Sequence, residues 1–364
     1  MRGYMSAVLL ATVMAGSGSL AGPVSAAEFR LNSGAWVDLA MSVNGYFPVI
    51  GQAMQQIAGP SQVSYGGRLT FLLVGSDSRG GGGERLDAIA IMSINPSNKN
   101  ISGVSIPRDT GRIQIPSQYG GGLYNGKING MFGYFKSQTG GSRAQGLERF
   151  KVTVEQLLQI NIDYVVYMRF NGFDALVDEV GGVNANIPNE IRDPKYIDKP
   201  DWPKGAKFLA DTSALLKGGS APRCYGGYPK PVTNWGPVLN CTRAMVYVRT
   251  RKGTIGNSAN NDYKRAGRQQ KFTVEAIKRL TSLGLSKAYA VRTKANSMPS
   301  DFYTDMPTSN GDVQQLFNLL SGSAFTQTAV LSPPTYATRV SGTSKNQLKL
   351  DVVRNLCDNY FDSV

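Results

Sequence analysis

Carboxylates, guanidiniums and one lysine recur at the ends of apolar runs in this sequence. Asp77 lies in Gly75-Ser76-Asp77-Ser78-Arg79, just after the run Arg68 to Val74, and Glu84-Arg85-Leu86-Asp87 precedes the run Ala88 to Ile94. If the two runs are antiparallel or crossing strands, Asp77 and Asp87 meet as a two-carboxylate site for a hard cation such as Mg²⁺. The plainer alternative is a pair of turn aspartates. Gly80 to Gly83 offers bare backbone able to cradle phosphate oxygens, but no Gly-Lys-Ser/Thr follows, so this is not a P-loop.

A third run, Ile101 to Ile106, leads into Pro107-Arg108-Asp109-Thr110. Pro107 stiffens the chain ahead of Arg108, whose planar fork can grip a phosphate bidentately where lysine cannot. The competing reading is a structural Arg108–Asp109 pair. Lys127, in Gly126-Lys127-Ile128-Asn129, is a further cation or a solvated lysine. Arg249 and Arg251 close a helical stretch that begins near Thr242, and they are expected to converge just beyond it. Asp262, Arg265 and Gln269 are spaced three and four apart, so they share one face of a helix that opens at Asn261 and runs to about Leu283, while Arg268 points elsewhere. The start of such a helix favours an anion.

The composition narrows the chemistry. The chain has 364 residues, 39 Lys+Arg against 25 Asp+Glu, a formal charge of +14, three cysteines and no histidine. Without histidine there is no Ser-His-Asp triad, Cys-His pair, H-E-x-x-H zinc site or His base, and three cysteines cannot complete a Cys₄ zinc site. The positive surplus favours nucleic acid, anionic lipid, a phosphate-rich polymer or the cell wall. Nucleic-acid binding calls for aromatics interleaved along an exposed basic stripe. Here the arginines fall at strand and helix ends, which argues against a nucleic-acid partner.

The elements that must position these groups form an α/β pattern. The three apolar runs read as buried strands, the first as a buried parallel strand. Leu147, Phe150, Val154, Leu157 and Leu158 keep helical spacing, Tyr164 to Phe170 reads as a strand, and Phe173 to Val180 as a helix stopped by Gly181-Gly182. Ser213 to Asn240 reads as a surface excursion. Strands alternating with helices indicate an α-β-α layered sandwich around a central sheet. At the N-terminus, Ala7 to Ala15 is apolar and Val24-Ser25-Ala26-Ala27 has the small residues of a signal-peptidase site, so residues 1–27 are expected to be a signal peptide or a signal anchor. Residues 28–65 read as a helical extension, with Leu31 to Ala58 a broken amphipathic helix. Cys224 and Cys241 bracket a loop in which a disulfide would stabilise by about 3 kcal/mol in the loop-entropy model, and only an oxidising compartment would keep it. Cys357 is left over, and the pairing of the three stays open.

Together these blocks resemble the LytR-CpsA-Psr family of bacterial cell-wall phosphotransferases. The matching segments are FLLVGSDSR (71–79), RLD (85–87), SIPRDT (105–110), KIN (127–129), TVEQLLQINIDYVVYMRFNGFDALVDEVGGV (153–183), AMVYVRTR (244–251) and DYKRAGRQQ (262–270), in the family's order. The chain departs from the family pattern in its Cys224–Cys241 excursion and its Gly80–Gly83 run. The resemblance implies a catalytic domain over residues 66–290, with 291–364 its C-terminal part, and a central mixed sheet enclosing an apolar slot for a lipid tail. It implies transfer of a phospho-glycan from a polyprenyl-pyrophosphate carrier to a hydroxyl of peptidoglycan, outside the cytoplasm at the membrane or wall, close to an anionic membrane surface. Hydrolysis of the carrier, or ligation to a surface protein, are the alternatives. Asp77 and Asp87 match the metal carboxylates, for Mg²⁺ with Mn²⁺ as substitute. Arg85, Arg108, Lys127, Arg249, Arg251, Asp262, Arg265 and Gln269 match the pyrophosphate site. Arg108, Asp77 and Asp109 are the candidate catalytic groups, with Asp77 or Asp109 as base. On this reading Arg108→Ala should abolish turnover and leave the fold intact.

Overall fold

The computed structural model describes residues 61–65, 67–77, 84–196, 205–222, 224 and 240–362. The signal or anchor segment, nearly all of the 28–65 extension and the Gly80–Gly83 run lie outside the described residues.

Six strands form the central sheet: β1 (Leu69–Ser76), β2 (Leu86–Ile94), β3 (Asn100–Ser105), β4 (Tyr164–Arg169), β5 (Phe302–Thr304) and β6 (Ala324–Val330), in the spatial order β5-β4-β1-β2-β3-β6. Every residue of β1 and β2 is buried. Such continuous apolar runs reflect helices covering both faces. β1 is parallel to β4, as its sequence indicates, but antiparallel to β2, and β2 is in turn antiparallel to β3. Burial on both faces produces the same run of apolar residues whichever way the neighbour points, so the sheet is mixed.

The helices are α1 (Ile128–Gln138), α2 (Arg143–Leu158), α3 (Phe170–Glu179), α4 (Ala244–Arg249), α5 (Asp262–Leu283), α6 (Leu285–Asn296), α7 (Asn310–Leu320) and α8 (Leu350–Cys357). Alternate residues of β1 enter opposite cores, as the pleat requires. Leu72 and Val74 pack with Phe132, Phe135 and Phe150 of α1 and α2. Phe71 and Leu73 join Phe173 of α3 and Phe272 and Ile277 of α5. The result is an α-β-α sandwich. α3 ends as its sequence indicates: Gly181 and Gly182 take φ of +72° and +98°, and their N–H groups bond Asp178 O and Val177 O at 2.9 and 2.8 Å.

Ser213 to Asn240 is in part a strand, because Asp211–Leu216 pairs with Val183–Ile187. A disulfide joins Cys224 to Cys241. Cys357, the last residue of α8, is buried in the core. Beyond α7 the chain returns as β6 beside β3, then forms a small hairpin of Ala337–Arg339 with Asn346–Leu348. Among the described residues no helix is long and apolar enough to cross a membrane.

Candidate active site

The site is built at the end of β3. Ile106 N–H bonds Ile89 O at 2.9 Å, Pro107 turns the chain, and Thr110 N–H closes the turn on Pro107 O at 2.9 Å. This aims Arg108 inward, where it is only 7% exposed. A buried guanidinium demands carboxylates. Asp87, from the start of β2, lies 2.5 Å from one terminal nitrogen, while Asp109 and Asp262 lie 3.4 and 3.8 Å from Nε. Asp109 also accepts a hydrogen bond from Lys127 Nζ at 2.9 Å. Asp262 opens α5, whose N-cap is Asn261, accepting from Lys264 N–H. Asp262 in turn faces Arg251 at 3.2 Å and Arg265 at 3.5 Å.

Thus four cations (Arg108, Lys127, Arg251 and Arg265) meet three carboxylates (Asp87, Asp109 and Asp262) in one connected network. A cavity of about 170 Å³ opens on it, lined in part by Asp87, Arg108, Asp109, Asp262, Arg265 and Gln269. The i, i+3 and i+7 spacing on α5 does place Asp262, Arg265 and Gln269 on one face. Gln269 also ties that face to α4, donating from Nε2 to Val248 O at 2.9 Å.

Arg249, Arg251, Arg85 and Asp77 do not line this cavity. Among the described residues, Arg249 and Arg251 are held by different neighbours. Arg249 ends α4 and is held by Tyr196 OH at 3.0 Å, with its guanidinium 4.4 Å from the Phe170 ring centre. Arg251 follows Thr250, whose extended backbone (φ −60°, ψ 137°) redirects the chain toward Asp262. Arg85 is exposed, and its charge acts on Tyr124 rather than within the network. Asp77 lies opposite Arg85, its N–H bonded to Arg85 O at 3.1 Å, beyond a register shift between Gly75 and Ser76.

The antiparallel β1–β2 pair brings Asp77 and Asp87 to the same end of the sheet. Two carboxylates completed by water and phosphate oxygens make a donor set that fits Mg²⁺. Among the described residues no group of three or more acidic, cysteine or histidine side chains gathers as a metal cluster.

Several positioning residues carry no motif. Asp193 accepts from Thr250 Oγ1 at 2.7 Å and from the N–H groups of Arg251 and Lys252 at 3.0 Å, which fixes the backbone that presents Arg251. Arg268 does point away from the cavity, and donates to Tyr247 O, Asn260 Oδ1 and Thr250 O. Burial lowers its guanidinium to about 10, so it stays charged at neutral pH. Glu84 anchors the return of the β1–β2 loop, accepting from Ser76 Oγ at 3.0 Å, Lys136 Nζ at 2.8 Å and the Tyr167 hydroxyl. Burial alone would raise the Glu84 carboxyl, but Lys136, Tyr167 and Ser76 together hold it below the usual range.

A mixed sheet between two helical layers, with guanidiniums and carboxylates gathered at its strand ends, defines an α/β domain with a charged site at one end of the sheet. The chain belongs to the LytR_cpsA_psr family, whose model matches residues 50–351. It is similar to TagU of Bacillus cereus, named polyisoprenyl-teichoic acid–peptidoglycan teichoic acid transferase, with 31% identity over 147 residues, 40% of this chain and 42% of TagU. It is likewise similar to TagV of Bacillus subtilis, which carries the corresponding transferase name, with 31% identity over 134 residues, 36% of this chain and 31% of TagV. These alignments span less than half the length of either relative. The solved structure of B. subtilis TagV shares the fold at a TM-score of 0.56 and 22% identity, covering 83% of this chain and all of TagV. That of TagT bound to LIIa-WTA does so at 0.53 and 21%, covering 84% of this chain and 96% of TagT.

Two outcomes are expected. Arg108→Lys keeps a cation beside Asp87 but loses the fork, so turnover should fall by about 10²-fold or more with little change in melting temperature. Because Arg108 is buried against Asp87, Arg108→Ala should lose turnover and also lower the melting temperature, which revises the expectation of an intact fold. Near-normal turnover in Arg108→Lys would remove the bidentate role. Separately, a carboxyl held low in the folded state contributes stability above its unfolded value of 4.5 and loses it as pH falls through the folded value. Melting temperatures measured from pH 7 down to pH 3 should therefore drop less steeply in Glu84→Gln than in the wild type. Parallel curves would show that Glu84 adds nothing to acid sensitivity.

Proposed function

We propose that this protein is a phosphotransferase that moves a phospho-glycan from a polyprenyl-pyrophosphate carrier to a hydroxyl of peptidoglycan, releasing polyprenyl phosphate. The observation that carries this reading is one connected network of four cations and three carboxylates at the strand ends, from which Arg108 and Arg265 face a cavity. The names of the relatives, teichoic acid transferases, support the substrate class.

A pyrophosphate diester carries about two negative charges, and burying them without cations would be prohibitive. Arg108 and Arg265 face the cavity, and Lys127 and Arg251 stand behind Asp109 and Asp262. Phosphoryl transfer asks mainly for this neutralisation and for in-line placement. Asp77 and Asp87 would hold Mg²⁺, or Mn²⁺ in its stead, and the bound ion would supply further charge stabilisation on the phosphates. In the reaction an acceptor oxygen–phosphorus bond forms and the phosphorus–oxygen bond to polyprenyl phosphate breaks. The hydroxyl proton passes to a carboxylate. Asp109 lines the cavity and is the better placed candidate; Asp77 is the other. Because the polyprenyl phosphate released from a pyrophosphate linkage is a good leaving group, no histidine is needed. Ala88, Ile89, Ile106 and Val330 give the cavity an apolar side, where the first part of the lipid tail would lie in the slot that the resemblance implies. Such a substrate places the protein outside the cytoplasm, at the outer face of the membrane or in the wall. The +14 charge suits an anionic surface there, and the Cys224–Cys241 disulfide suits an oxidising compartment.

The test supplies polyprenyl-pyrophosphate-linked glycan with and without peptidoglycan fragments and follows product mass. Phospho-glycan joined to the fragment is expected, lost on chelation and restored by Mg²⁺ or Mn²⁺. Release of free phospho-glycan alone, whatever acceptor is present, would make the protein a hydrolase. Full activity in chelator would remove the metal role of Asp77 and Asp87.

A further inference from the structure

Beside its charged and apolar residues, the cavity carries Tyr263 and Asn346, both neutral and polar, and Asn346 comes from the C-terminal hairpin far along the chain. Asn346 is only 9% exposed, and both its backbone and its side chain are held. Its N–H bonds Asp109 O at 2.9 Å, its backbone bridges that of Thr110, and its Nδ2 donates to the Tyr263 hydroxyl at 3.2 Å. The adjacent Lys345 Nζ fastens the hairpin to Asn125 O. A segment remote in sequence thus grips the main chain of the candidate base and orients a phenol beside it.

In that bond the Tyr263 hydroxyl is the acceptor, so its own proton is directed to another oxygen. Burial, with Asp109 and Asp262 nearby, raises the phenol above its ordinary range, so it remains a donor at neutral pH. A phosphate would be drawn to the guanidiniums. A neutral hydroxyl-bearing ligand is better matched by a phenol and an amide, which exchange hydrogen bonds with it without adding charge.

We propose that Tyr263 and Asn346 form a subsite for the hydroxyl-bearing sugar acceptor, holding its attacking oxygen beside Asp109 while the pyrophosphate meets the guanidiniums. This rests on the transferase reading above. Tyr263 contacts the acceptor, and Asn346 is a positioning residue acting through Tyr263 and the Asp109 backbone.

The experiment measures KM for a soluble peptidoglycan fragment and, separately, KM for the lipid-linked donor in the wild type, Tyr263→Phe and Asn346→Ala, with melting temperature alongside. Loss of one hydrogen bond should raise the acceptor KM about fivefold in each variant, with donor KM and melting temperature nearly unchanged. The double variant should be little worse than either single one, because the two side chains act as a unit. Unchanged acceptor KM in both variants overturns the subsite and leaves the transferase reading standing. A parallel rise in donor and acceptor KM overturns it too, and assigns the pair to the pyrophosphate or to general structure. A wild-type protein that transfers to no sugar acceptor overturns the transferase reading and the subsite with it.

Discussion

A guanidinium taken almost wholly out of water, between carboxylates from separate elements, is the constraint on which this structure turns. Arg108 cannot be buried without Asp87, and Asp87, itself 3% exposed, cannot be buried without cations. Meeting that demand fixes the end of β3 against the start of β2. Through Asp262, it also draws the first turn of α5 over the sheet. The interaction is worth more as a locator than as a source of net stability, since desolvation offsets much of the attraction in a buried pair. What it locates is a set of further cations whose charge the nearby carboxylates only partly balance.

Two supporting structures hold that centre in shape, each from a different direction. Asp193, Arg268 and Asn260 clamp the link between α4 and α5, so that Arg251 arrives from a stiff backbone rather than a loose loop. Glu84, with Ser76, Lys136 and Tyr167, anchors the β1–β2 return just before Arg85 and Asp87. Because their own hydrogen bonds are largely met within the protein, these groups act by orienting others. A residue that contacts a phosphate directly does a different job.

Much of this was legible in the sequence, for identifiable reasons. The first three strands appear within about two residues of their ends because burial on both faces writes a continuous apolar run. α5 begins where Asn261 can cap it and ends at Leu283, before Gly284. Arg108, Asp109, Asp262 and Arg265 could be picked out because charged residues stood where apolar runs or helices begin and end. Which neighbour of β1 lies parallel was not legible, since a doubly buried strand looks alike beside either kind of partner. The neighbours of Arg249, Tyr196 and Phe170, were not legible because helical spacing does not reveal the turn at Thr250. Asp193 was missed because its partners lie 57 to 59 residues away, and Asn346 because it reaches the site from a hairpin 83 residues beyond Tyr263. Contacts of that range leave no local periodicity to read.

The central claim is that this network cradles one doubly phosphorylated headgroup. The most direct measurement is a crystal structure of the protein with a short isoprenyl pyrophosphate and Mg²⁺. The account requires both phosphates inside the cavity, within hydrogen-bonding distance of Arg108 and Arg265, with the isoprenyl carbons toward Ile89, Ile106 and Val330. A pyrophosphate seated on an outer surface, with the Arg108–Asp87 network closed around water alone, would contradict it.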